Sequence, residues 1–447
     1  MSAPTQPFLR GGRAILFWSA LLAGVFVFSG GGFDRTVEAS APIVASADSK
    51  DFDRAKKNLQ AVLKGKKQSP VRKAVEQLAA TGDPRAVRLL VITGEQRTEE
   101  LIYTAVEDAL VAHSDEAWIQ ALAKELRGAK SNATAILLIE SLGMIEGEGT
   151  VGPLVTGLQS TRTPVLLAAV RACRTKLERA VVPALIDLLQ RVEEDASLIW
   201  AETRITLQVL TSERYLHSSD WLNWWKTRPA DWTPRKGRNA EDGAKTGVYR
   251  PAGGDGAALP RIFGQEVASK RVVFVIDTSG SMSEVDPPTE VEEGSTGKQG
   301  RTRLQRAQRE LIAAIGQLRP DVRFNVVSFS TRVSAWVDGK LVKAKKSAKR
   351  KSTGFVGALK PDGTTSTELA LMQALETTDV DTIIFLSDGS PTDSTGKVID
   401  YQPILEVVRA ANREKNVTIH TLGFPGSLVS FMRALAEQTG GTYAPIR

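Results

Sequence analysis

Cysteine is almost absent from this 447-residue chain. Cys173 stands alone, so no intramolecular disulfide can form and stability must come from packing. Histidine is nearly as scarce: His113, His217 and His420 show no ligand spacing, and with one thiol they exclude a Cys/His zinc cage. Any metal chemistry therefore falls to oxygen donors. A large excess of one charge is missing too, since a net charge of +7 supports solubility without calling for a polyanionic partner, and nucleic acid is not expected. Hydrophobic residues at 42% and charged residues at 24% are ordinary globular usage, which rules out disorder, collagen or a polytopic membrane protein as a description of the whole. The length suggests about three units.

One long apolar run is present. Arg10 and Arg13 precede Ala14 to Phe28, a stretch nearer a secretory h-region than the ~20 residues of a spanning helix. Ala45-Ser46-Ala47 offers an A-x-A cleavage pattern with the mature protein beginning near Asp48; an uncleaved N-terminal anchor is the alternative. Residues 1–47 are thus assigned to export or anchoring. The bulk is expected outside the cytoplasm, in a periplasm or cell envelope or secreted, and the lack of disulfides suits a bacterial envelope.

From residue 52 the apolar positions follow helical spacing. Val71/Ala74/Val75/Leu78, Ile102/Ala105/Val106/Ala109, Ala135/Leu138/Ile139/Leu142 and Leu166/Ala169/Val170/Cys173 begin about 31 to 33 residues apart. Second helices follow about 16 residues after each, at Val87, Trp118, Val151 and Val182. A helix pair of this kind cannot bury its apolar face alone, so stacked pairs are predicted to form a solenoid. With Gly82-Asp83-Pro84-Arg85-Ala86-Val87 and Val182-Pro183-Ala184-Leu185-Ile186 as turns and second helices, the region resembles the HEAT repeat family, which implies a scaffold for a protein partner. Cys173, in the i+7 slot of an apolar face, reads as a buried small hydrophobe.

Trp221, Trp224, Trp225 and Trp232 crowd the end of this region, either as a cap on the solenoid (residues 52–228) or as an aromatic platform. Residues 229–262, rich in Gly, Pro and charge, read as a linker.

Beyond it, Arg271 to Ile276 is a continuous β-branched run, as expected of a strand buried on both faces of a parallel sheet. Asp277-Thr278-Ser279-Gly280-Ser281 follows at once, at the carboxyl end of the strand where open α/β sheets place ligands. Further strands at Val322–Phe329, Thr382–Leu386 and Val417–Leu422, with the amphipathic Leu304/Ala307/Leu311/Ile315 among the intervening helices, predict a doubly wound, Rossmann-like α/β fold. Gly363-Thr364-Thr365-Ser366-Thr367 and Leu386-Ser387-Asp388-Gly389 bring hydroxyls and a carboxylate to the same edge.

On these motifs residues 263–447 resemble the von Willebrand factor type A (VWA) family. The resemblance implies a metal-ion-dependent adhesion site (MIDAS) made by Asp277, Ser279, Ser281, Thr365 and Asp388, with Thr364 as the alternative threonine. It also implies Mg2+, or Mn2+, as cofactor. Such an ion takes octahedral oxygen ligands and keeps some water, so hydroxyls with two carboxylates would leave it electrophilic toward an acidic residue of a partner. The expected function is extracytoplasmic protein binding, adhesion or scaffolding rather than catalysis, with a second protein partner on the solenoid. An adaptor role for a chelatase or AAA-type ATPase is the alternative, at odds with the signal-like N-terminus. A metal-dependent phosphohydrolase would want D-x-D, and Ser279 stands where its second carboxylate would act.

The basic run Lys343, Lys345, Lys346, Lys349, Arg350 and Lys351 reads as the solvated start of a helix. Glu284, Asp286, Glu290, Glu292 and Glu293 form an acidic insertion after the first motif, as an acidic loop or a second cation site.

Overall fold

The apolar spacing of residues 52–210 is realised as antiparallel helices in two layers. A computed structural model describes residues 49–195, 197–234, 259–285 and 301–446. The export segment, most of the linker and the acidic residues Asp286 to Glu293 lie outside them. The helices are α1 (Ser49–Leu63), α2 (Gln68–Ala79), α3 (Arg85–Gln96), α4 (Glu100–Leu110), α5 (Glu116–Gly128), α6 (Asn132–Met144), α7 (Val151–Gly157), α8 (Thr163–Cys173), α9 (Val181–Val192), α10 (Leu198–Thr211) and α11 (Ser218–Lys226). Helices α2, α4, α6, α8 and α10 stack in one layer, each on the next, and their odd-numbered partners form the other.

The residues at i, i+3, i+4 and i+7 point between the layers. Val71, Ala74, Val75 and Leu78 are fully buried, as are Leu138, Ile139 and Leu142; truncating one such side chain to Ala typically costs about 2–5 kcal/mol. The turn between α2 and α3 shows how the repeat is closed: Gly82 adopts φ +63°, His113 Nε2 lies 2.7 Å from the Ala79 carbonyl, and the Asp83 carboxylate accepts the Arg85 amide. Cys173 is buried, and burial pushes its thiol up to about 12. At the far end Trp221 is enclosed, Trp224 packs edge-on against Trp232, and Arg179 stacks over Trp225, so the aromatic cluster closes the stack against α9. Among the described residues no helix is long and apolar enough to cross a membrane.

The second region is a sheet with helices on both faces. Its strands are β1 (Arg261–Ile262), β2 (Gln265–Glu266), β3 (Arg271–Asp277), β4 (Arg323–Phe329), β5 (Val333–Ala335), β6 (Val342–Lys343), β7 (Thr382–Ser387), β8 (Thr418–Gly423) and β9 (Tyr443–Pro445). The main order is β5-β4-β3-β7-β8-β9, parallel except for the edge strand β5, with β6 pairing antiparallel on β4. Alternation along the buried strands divides the core. Phe274 and Ile276 face α12 (Arg303–Gln317) and α13 (Lys346–Gly357), whereas Val273 and Val275 face α14 (Thr367–Glu376), α15 (Gln402–Asn412) and α16 (Val429–Glu437).

Two details depart from the sequence reading. Arg261 and Ile262, placed there in the linker, form β1, and Ile262 is buried in the α/β core. The basic run is only partly a solvated helix start: Lys343 belongs to β6, and Lys349 turns inward to donate to the Gly316 and Leu318 carbonyls at the end of α12.

The helical region docks on the amino ends of the strands. Arg171 reaches from α8 to the Thr418 hydroxyl (2.6 Å) and the Thr439 carbonyl (3.0 Å). Arg409 pairs with Glu100 and Glu107, Arg413 pairs with Glu100 and covers the Tyr103 ring, and Asn416 donates to the Pro164 carbonyl. Gly440, at φ +69°, makes the insertion of Arg171 possible, because a Cβ there would lie 2.4 Å from the guanidinium. The opposite, carboxyl ends of the strands lie some six or seven residues, and so about 20 Å, away.

Candidate metal centre

Three loops meet at those carboxyl ends. Strand β3 ends in Asp277, and the chain turns through Ser279 into a short 3-10 turn, Gly280–Ser283. The turn is locked from below: the Thr278 amide donates to the Phe329 carbonyl (2.7 Å), and the Gly280 amide donates to the Gly363 carbonyl (3.0 Å). Gly363 has φ +75°, and a Cβ would lie 2.2 Å from the Thr331 hydroxyl, so this second loop requires glycine. Its next residues are sorted by their partners. Thr364 turns toward Thr331, Oγ1 to Oγ1 3.1 Å, while Thr365 is buried with its amide donating to Thr392 Oγ1 (2.8 Å). The third loop follows β7 and carries Asp388.

The side chains form one connected set. Ser279 Oγ and Ser281 Oγ are 3.2 Å apart, and Ser281 Oγ donates to Asp388 Oδ1 at 2.9 Å. Thr365 Oγ1 and Ser281 Oγ flank one point, 3.5 and 3.8 Å from where a Gly389 Cβ would stand. Ser279, Ser281 and Asp388 are thus joined by hydrogen bonds, Asp277 joins them through the Ser279 amide, and Thr365, not Thr364, lies with Ser281 beside Gly389. Asp277 is wholly buried; its Oδ1 accepts the Ser279 amide (2.8 Å) and its Oδ2 the Ser387 hydroxyl (2.5 Å). No cationic side chain pairs with it among the described residues. Burial pushes its carboxyl up to about 6, and the charge of Asp388 adds to the rise, against the lowering by the Ser387 and Ser279 hydrogen bonds.

The residues 270–444 match the family model described as the von Willebrand factor type A domain. This part of the chain is a VWA domain. The human von Willebrand factor A domain-containing protein 3A is 31% identical over 188 residues, covering 41% of this chain and 14% of that protein. Human inter-alpha-trypsin inhibitor heavy chain H1 is 28% identical over 186 residues, covering 39% and 18%. The chain therefore spans less than a fifth of the length of these curated relatives. Among solved structures, a von Willebrand factor type A protein from Catenulispora acidiphila aligns at 22% identity with a TM-score of 0.32, covering 39% of this chain and 38% of that one. The SpRpn10 VWA domain aligns at 14% identity with a TM-score of 0.28, covering 39% and 88%.

Within this VWA domain no group of three or more His, Cys, Asp or Glu side chains gathers among the described residues. A cation at Asp277 and Asp388 would need the hydroxyls to complete its shell, a donor set that suits a hard ion such as Mg2+ and not a soft one. The buried Asp277 carboxylate, surrounded by hydroxyl and amide donors alone, is what such an ion would compensate.

Sequence reasoning overlooked two supporting residues. Ser387 has no ligand role in its motif, and its hydroxyl orients Asp277. Arg303 carried no signal, because a cation at the start of an amphipathic helix looks like solvated surface. The three histidines are held structurally, His217 on Glu193 and His420 on Thr442, like His113 in its turn.

Proposed function

We propose that this protein binds an acidic side chain of a partner protein through a divalent cation held by the VWA domain, in an extracytoplasmic setting. The observation that carries the reading is the buried Asp277, paired with no cation among the described residues, beside Asp388, with Ser279, Ser281 and Thr365 gathered at the carboxyl ends of the strands. In this reading Ser279, Ser281 and Thr365 give neutral oxygens, and Asp277 and Asp388 balance charge. A Mg2+ or Mn2+ ion, when bound, supplies an electrophilic centre able to accept a carboxylate oxygen. Ser387 and the Ser279 amide hold Asp277 in one orientation, and Thr392 holds the Thr365 loop, so the donor set is organised before binding.

The inter-alpha-trypsin inhibitor heavy chain and the VWA-domain-containing protein 3A share this domain, which supports protein binding as the role. Export or N-terminal anchoring rests on Arg10, Arg13 and the Ala14–Phe28 run. The helical region is assigned a second protein partner; its odd-numbered helices make none of the docking contacts described above and leave that side for it. Calorimetric titration of Mg2+ and of Mn2+ into the full chain, wild type beside Asp277→Ala, tests the reading. Saturable binding by the wild type alone is expected; equal binding by a folded Asp277→Ala chain, or none by the wild type, refutes it.

A further inference from the structure

Arg303 is the first residue of α12, and its position is fixed by the chain around it. Thr302 and Gln305 form a reciprocal capping box, with the Gln305 amide donating to Thr302 Oγ1 (3.2 Å) and the Thr302 amide to Gln305 Oε1 (3.0 Å). Val285 and Thr302 form an isolated antiparallel bridge, and the Arg303 amide donates to the Glu284 carbonyl (2.9 Å). The guanidinium is thereby carried to the edge of the three-loop site. Its Nη1 donates to Asp388 Oδ2 at 2.8 Å, and its Nη2 lies 2.8 Å from Glu284 Oε2. The side chain is 13% exposed and that of Asp388 0%, whereas Glu284 is 61% exposed. Arg303 Nε is buried without a hydrogen-bond partner in the structure.

This contact divides Asp388 between two tasks. Oδ2 is held by Arg303, and Oδ1 faces the Ser281 hydroxyl and the rest of the donor set. It also changes the local charge. Asp277 and Asp388 alone would neutralise a divalent ion; Arg303 brings the sum of the buried side chains to one negative charge and leaves a bound ion with one positive charge in excess, a surplus that the water-screened Glu284 offsets only in part.

We infer that Arg303 is the specificity-determining residue of this site, trading affinity for the cation against affinity for an anionic, carboxylate-bearing ligand. The inference rests on the metal-site reading above and goes beyond it by naming which side chain sets the balance. Removing the guanidinium leaves Asp388 fully available to the ion and takes away the excess positive charge. The two affinities must therefore move in opposite directions, whereas a residue that only supports the fold would weaken both.

The test uses the full chain, first with Mn2+ alone by calorimetry, then with acetate titrated into the Mn2+-saturated protein and followed by water-proton relaxation. For Arg303→Gln, Mn2+ binding is expected to tighten about tenfold and acetate binding to weaken about tenfold, a little more than one charge interaction at about 4 Å in bulk water. Arg303→Lys, which keeps the charge without the fork, restores acetate binding toward the wild type. Glu284→Gln, an exposed change that spares the fold, moves both affinities the other way by about twofold, since it removes a competing carboxylate from the guanidinium. Weakening of both affinities in Arg303→Gln, or no change in either variant, overturns the inference while leaving the metal site standing. Failure of the wild type to bind Mn2+ overturns the site reading and the inference together.

Discussion

Two buried carboxylates at opposite ends of the VWA sheet have had opposite fates. Glu202, on α10, meets Arg171 at 3.1 Å and Arg174 at 2.5 Å. Burial raises its pKa, but the two guanidinium groups outweigh burial and hold the carboxyl down to about 2. Asp277 is buried as deeply and has only hydroxyl and amide donors, so burial prevails and its carboxyl rises to about 6. The difference teaches how to tell a structural carboxylate from one that awaits a charge. Among the described residues the chain supplies its own cations to Glu202 where the helices dock, and at the other end gives one to Asp388, Arg303, and none to Asp277.

The largest expected effect breaks the upper half of this comparison. Asp277→Ala should lower Mg2+ affinity by more than the roughly 10–100-fold typical of losing a supporting partner, with the far-ultraviolet circular dichroism unchanged; calorimetry decides it. Next comes the lower half. Arg171→Ala leaves Glu202 with one partner and unmakes the docking contacts to Thr418, Thr439 and Gly440, and should cost about 3–5 kcal/mol in urea unfolding; a loss under about 1 kcal/mol would show that the docking does not depend on this charge.

The pH dependence sharpens the same point. Glu202 has its folded pKa below the ordinary 4.5, so its contribution is complete above about pH 4.5 and is lost as pH falls toward 2. Its size is about 2–3 kcal/mol by linkage, and stability in Glu202→Gln should lack this component of the acid slope. A smaller effect separates the two adjacent threonines. Thr365→Ala should weaken Mg2+ binding about tenfold, the worth of one ligand contact, and Thr364→Ala should leave it unaltered, because Thr364 is turned toward Thr331. The smallest is Arg409→Ala, whose side chain is 37% exposed. It should cost about 1 kcal/mol or less, and less again in high salt.

Much of this was legible in residue order because the physics is local. The four first-helix patterns from Val71 to Cys173 are the helices α2, α4, α6 and α8, since burying one stripe of a helix leaves a 3.6-residue imprint. The buried run Arg271 to Ile276 and the polar Asp277 after it place a strand and its carboxyl end in the same way. The short strands β5, β6 and β9 left no such imprint, because two or three residues carry no period. Arg303 and Ser387 were hidden for a different reason. Each acts through a partner about 85 or 110 positions away, Asp388 and Asp277, and composition at either position is that of ordinary surface or loop.

Residue order alone specifies the set of parts: the stacked helical pairs, the parallel-sheet strands, and hydroxyl and carboxyl groups at three loop ends. Folding in three dimensions settles which of those groups share a site, which carboxylate gains a built-in cation, and on which end of the sheet the helical region docks. The physical reason is that periodicity records only which side of an element is buried. Pairing between Arg171 and Glu202, or isolation of Asp277 from any cation, is settled by distances of a few ångströms between residues far apart in the chain.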